Sequence, residues 1–105
     1  MQFVLIARDQ KDADALNRRR ASRDEHLKKV AEAAERGEEI IGAALQDDGG
    51  NMCGSVMLFD VASRERLDEL IANDPYTLNN VWGEKEIIAC KVAPPFAHYL
   101  KIKGN

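Results

Sequence analysis

Apolar residues fall in short blocks around one long charged stretch, and their period changes from block to block. Residues 2–7, QFVLIA, form a β-branched and aromatic run that predicts a buried central strand. Residues 9–36 are mostly Ala, Leu, Arg, Lys, Glu and Asp and contain neither Gly nor Pro. They predict a long helix with Asp9 or Asp12 as N-cap, stopped by Gly37. EEIIGAALQD (38–47) and MCGSVMLFDV (52–61) read as strands, and the DDGGN overlapping their junction is turn chemistry, so the two form an antiparallel hairpin. Ser63 caps a second helix whose apolar stripe is Leu67, Leu70 and Ile71. That helix ends near Asn73, because Pro75 disfavours helical geometry at Asp74. Residues 76–83 connect, with at most one short helical turn. EKEIIACKV (84–92) is the fourth strand, ended by Pro94-Pro95.

The order β-α-β-β-α-β predicts a ferredoxin-like α+β domain over residues 1–105, a four-stranded antiparallel sheet with two helices on one face. In the third strand Val56, Leu58 and Asp60 point one way, and Ser55, Met57, Phe59 and Val61 the other. Both sets carry large apolar groups, and a chain of 105 residues has no third layer to cover the second set. A homodimer with sheets packed face to face is the expected solution. The fold sets strand one between strands three and four. Cys53 and Cys90 then lie about 9–10 Å apart across that strand, too far for a disulfide.

On a helical wheel Leu16, Leu27, Val30, Ala31 and Ala34 share a sector of about 100°, expected to face the sheet. Arg20 and Arg23 fall inside it, Arg19 at its border, and His26 at its edge. An arginine on a buried stripe needs an anion or carbonyl partner, unless its stem packs while the head reaches water. A histidine at a rim ordinarily makes one structural hydrogen bond. Asp74, in the DPY stretch after the second helix, can approach the first helix on the shared sheet face. There it would accept from His26 and fix its tautomer, although an Asp before Pro is also an ordinary helix stop.

Composition narrows the partners. The net charge is −3, which offers no attraction to nucleic acid or anionic lipid. No apolar run approaches the roughly 20 residues of a membrane span, and the first residues lack the basic start of a signal peptide. A cytoplasmic protein is expected. Two cysteines and two histidines lie too far apart in sequence for a metal motif, so no metal or other cofactor is expected. Gly49-Gly50 sits in a hairpin turn and not at a helix N-terminus, which gives no phosphate cradle.

The strand FVLIARD, Arg23-Asp24-Glu25-His26-Leu27, Gly37 followed by a strand with Gly42 and Leu45, Gly54-Ser55, and Asp74-Pro75-Tyr76 occur in a specific order. In this the chain resembles the YciI-like (YCII-related) proteins of the dimeric α+β barrel superfamily. The resemblance covers nearly the whole chain. It implies a ferredoxin-like protomer, a homodimer, and one pocket per protomer in which His26 and Asp74 form a catalytic pair, with Arg23 and Ser55 nearby. One branch of the family dehydrochlorinates a chlorinated hydroxyhydroquinone. The chain departs from the pattern at Ala43-Ala44-Leu45, where Ala-Gly-Pro is common, and at residues 77–82, where a glycine turn is common.

Two functions remain open on these grounds. In the first, the protein is a cofactor-independent lyase or isomerase. His26 transfers a proton, as suits an imidazole at neutral pH. Asp74 orients it, Arg23 and Ser55 hold an anionic or phenolic oxygen, and Tyr76 and Trp82 wall an aromatic ring, with core packing the alternative for Trp82. In the second, a non-catalytic dimeric module binds a small anionic metabolite in the same pocket. A haem role through His98 rests on fold analogy alone. Phe96, Tyr99, Leu100 and Ile102 give the tail an apolar surface that should pack on something.

Overall fold

A computed structural model describes residues 1–100. Strands β1 (Gln2–Asp9), β2 (Glu39–Gln46), β3 (Met52–Asp60) and β4 (Trp82–Cys90) form one antiparallel sheet in the order β2-β3-β1-β4. Helices α1 (Ala15–Glu35), α2 (Arg64–Ala72) and the single turn α3 (Pro75–Leu78) cover one face. This is the ferredoxin-like α+β arrangement.

The alternation of β1 and β3 builds the core. Phe3, Leu5 and Ala7 of β1 and Met57 and Phe59 of β3 are buried under the helices, with Val61, Leu67, Ile71, Tyr76, Val81 and Trp82. The caps act locally. Ser63 Oγ accepts from the Arg66 amide at 3.1 Å, and Gly37, at φ 81°, gives α1 its left-handed exit.

Several expectations need correction. The first helix begins at Ala15 after Asp14, because Asp9 still belongs to β1. The fourth strand begins at Trp82 and not Glu84. The inward face of α1 is Ala15, Arg19, Ser22, His26 and Ala33, while Leu27 is 42% exposed and Ala31 and Ala34 face solvent. The helix is thus rotated by about one residue, roughly 100°, from the apolar sector. Its sheet-facing stripe holds small and polar side chains, which no hydrophobic pattern marks. Arg23, expected on that stripe, is exposed, and Arg19 takes the buried place. Cys53 and Cys90 are both free. They sit at opposite ends of the sheet, since Cys90 pairs with Gln2 and Gly54 pairs with Arg8, so they are separated by more than one strand spacing.

The other sheet face carries Val4, Ile6, Val56 and Leu58, with Ile41 66% and Ile88 47% exposed. A 3₁₀ helix, Pro94–Tyr99, follows β4. Its Phe96 and Tyr99 are exposed and stack on each other, and the His98 ring lies 4.1 Å from that of Tyr99; Ile102 lies outside the described residues. No helix among the described residues is long and apolar enough to cross a membrane.

Candidate functional site

The centre of the site is a hydrogen-bonded junction between α1 and the entry to α3. His26 Nδ1 lies 2.8 Å from Asp74 Oδ1 and 3.0 Å from Oδ2, with both side chains buried. A carboxylate only accepts, so Nδ1 is the donor in the neutral ring. Asp74 is also the N-cap of α3, and its Oδ1 accepts from the Tyr76 amide at 2.8 Å. Pro75 at the first helical position leaves that amide as the next free donor. The DPY stretch is therefore both a helix start and an imidazole clamp.

Aromatic contacts fix the ring further. The Tyr76 ring stacks on His26 at 3.9 Å between centroids and 13° between planes. Trp82 meets both rings edge-on, at 6.0 Å from His26 and 5.7 Å from Tyr76. The Arg19 guanidinium lies 4.6 Å from the Tyr76 centroid. Burial pushes the Tyr76 phenol above its ordinary range, against the pull of Arg19 and Arg23.

Arg19 joins the two ends of the sheet-facing cluster. Its Nη1 donates to Asp9 Oδ1 at 2.8 Å and its Nη2 to Ser55 Oγ at 3.0 Å. The Trp82 indole also donates to Ser55 Oγ, at 3.2 Å. Burial raises Asp9 above the usual carboxylate range, although Arg19 opposes this. Two atoms of the ion pair, Asp9 Oδ2 and Arg19 Nε, have no hydrogen-bond partner among the described residues.

A cleft of about 220 Å³ opens between α1 and β2, lined by Arg19, Arg23, His26, Ser55 and Tyr76 among others. All six expected site residues thus gather: His26, Asp74, Ser55, Tyr76 and Trp82 are joined by hydrogen bonds and ring contacts, and Arg23 stands at the cleft. Trp82 does not line this cleft. It packs in the core and borders a second cleft of about 420 Å³ on the other side of α1, together with Asp74. Ala43 and Ala44 line the smaller cleft.

Two buried groups were not among the expected site residues. Arg19 was one of three neighbouring arginines, and only the rotation of α1 singles it out. Glu39 is buried at the start of β2 and borders both clefts. Nothing in EEII distinguishes it from its neighbour Glu38, which pairs with Arg36 and Arg66. Among the described residues no three His, Cys, Asp or Glu side chains gather as metal ligands.

Comparison with known proteins supports the fold. The chain is similar to 5-chloro-2-hydroxyhydroquinone dehydrochlorinase from Burkholderia phenoliruptrix AC1100, solved with 2,5-dihydroxybenzoquinone, with a TM-score of 0.76 at 18% identity over 89% of this chain and 96% of that one. It is also similar to Rv0793 from Mycobacterium tuberculosis, with a TM-score of 0.54 at 17% identity over 90% of this chain and 99% of the other. An antibiotic biosynthesis monooxygenase follows, with a TM-score of 0.53 at 14% identity over 90% of this chain and 100% of the other. No curated protein matches the sequence. The YCII-related domain matches residues 1–91, and by that match, over a fold and cluster of the kind described above, the chain belongs to the YCII-related family.

Proposed function

We propose that the protein is a small-molecule enzyme in which His26 and Asp74 form an acid–base pair acting on a single-ring phenolic or enolic substrate. The observation that carries this reading is the buried Asp74 carboxylate on His26 Nδ1, at 2.8 Å. It holds the ring in one tautomer and leaves Nε2 as the nitrogen that meets a substrate. His26 removes a proton. The electron pair then expels a leaving group such as chloride, or returns to form a C–H bond elsewhere, giving elimination or isomerisation. Asp74 stabilises the imidazolium that forms. Arg23, Arg19 and Ser55 suit an anionic or phenolic oxygen, and Tyr76 supplies an aromatic wall. The dehydrochlorinase among the similar structures makes chlorinated hydroxyhydroquinones the first substrates to try.

The working unit in this reading is a homodimer closed over the apolar sheet face. A second reading, a dimeric module that binds a small anion without reacting, draws on the two arginines at one cleft.

The test is chloride release from 5-chloro-2-hydroxyhydroquinone, with binding of 2,5-dihydroxybenzoquinone measured in parallel. His26→Gln should lower turnover by about 10²–10⁴-fold and keep binding within a few-fold. Binding without any turnover in the unmodified protein favours the anion-binding module.

A further inference from the structure

Glu39 takes no part in the pair described above, yet its surroundings are those of a working acid. It is 5% exposed, and its Oε2 has no hydrogen-bond partner among the described residues. A buried carboxyl oxygen without a donor is costly, and rare where nothing uses it. The backbone puts it there. Glu39 pairs with Phe59 and Ile41 with Leu58, so one extra residue, Ile40, is inserted between them. That bulge turns Glu39 inward under α1 while Ile41 stays on the open face. Gly42 keeps the space open, because a Cβ there would lie 3.0 Å from Glu39 Oε2.

The carboxyl borders the same cleft as His26, Arg19, Arg23 and Ser55. Burial first, and then the Asp74 charge, push Glu39 up to about 8, so it holds its proton at neutral pH. Around it, α1 contributes His26, Arg19 and Arg23 on one cleft and Glu25, Lys29 and Glu32 on the other; Arg36 follows α1, α2 contributes Arg66 and Glu69, and the turn before α3 contributes Asp74. Arg66 of α2 borders the far cleft, with its Nε held by Glu38 at 2.7 Å, and β3 offers Met57 and Phe59.

We propose that Glu39 is the proton donor of the cleft, giving its proton to a carbonyl oxygen of a single-ring enone or hydroxyquinone-type substrate from which His26 removes another proton. This rests on the acid–base reading of His26. The bond to the proton that His26 takes breaks, and its electron pair moves through the conjugated ring to the oxygen. That oxygen forms an O–H bond with the Glu39 proton. The product is a tautomer of the substrate, with no net oxidation. Glu39 is left as carboxylate and His26 as imidazolium, and proton exchange with water restores both.

The experiment follows Glu39 itself, in protein labelled with ¹³C at glutamate carboxyls and assigned with Glu39→Gln. The probe is pentafluorophenolate, a single-ring anion at neutral pH. Glu39 should be protonated at pH 7 and should shift when the probe binds. Probe affinity should fall by up to about tenfold per pH unit above the Glu39 titration, and should stay flat in Glu39→Gln. Gly42→Ala, which keeps the acid but crowds Oε2, should weaken the probe several-fold. A Glu39 that titrates with ordinary carboxylates, or one indifferent to the probe, overturns the proposal. Neither readout depends on turnover, so this result stands or falls apart from the chloride-release assay.

Discussion

Buried charge at this site is placed by specific partners, and the partners are unequal. Arg19 is neutralised by Asp9, at 2.8 Å, and shares Ser55 with Trp82. Among the described residues no cation bonds Glu39 Oε2, and Glu39 holds its proton at neutral pH. That difference has a sign in stability. Glu39 is raised from 4.5 to about 8 in the folded chain. Below pH 4.5 both states hold the proton and its contribution is fully present; it is lost as pH rises toward about 8, because the unfolded chain has already released its proton. Glu38, its neighbour, runs the other way: hydrogen bonds from Arg66 and then Arg36 lower it to about 2, so its stabilisation is present above 4.5 and is lost as pH falls. Urea unfolding of wild type and Glu39→Gln across pH 5–8 isolates the first effect. Wild type should lose stability relative to the variant over that window, on the order of a few kcal/mol. Parallel curves would mean an ordinary carboxylate at Glu39.

The elements were legible where the cause is local. Strand alternation, the Ser63 cap, Gly37 and the proline after α2 each act within a few residues, and the structure reproduces them with small shifts in their ends. What the sequence did not disclose depends on neighbours far along the chain. The α1 face toward the sheet is polar because it holds the site, so Leu27 and Ala31 misdirect the wheel. The bulge at Ile40 carries no residue signature, and simple alternation would put Glu39 beside Ile41. The His26–Asp74 pairing was reachable because the topology brings both helices to one face, and because the family resemblance implies the same pair. One close approach within the sheet bears on the site. A Cβ on Gly54 would lie 2.6 Å from the Ala7 carbonyl oxygen and 2.9 Å from Leu45 Cδ1. Gly54→Ala should therefore cost about 1–3 kcal/mol in denaturant unfolding. It should also weaken pentafluorophenolate binding, because Ser55 is the next residue. A variant as stable as wild type would show that β1 and β3 can separate there at little cost.

For the whole molecule, the apolar sheet face is the largest unmet demand. Ile41 and Ile88 stand exposed beside Val4, Val56 and Leu58. Such a face predicts self-association through it. Sedimentation at micromolar concentration should give a dimer for wild type and a monomer for Leu58→Lys; a wild-type monomer would remove the face-to-face assembly. Asp74 has a different reach. One oxygen serves both the Tyr76 amide and an imidazole 48 residues earlier in the chain. Deuterium uptake at that single amide is therefore a clock for the site: whatever loosens the carboxylate's grip on the ring, ligand or proton, also changes how long the first turn of α3 keeps its hydrogen.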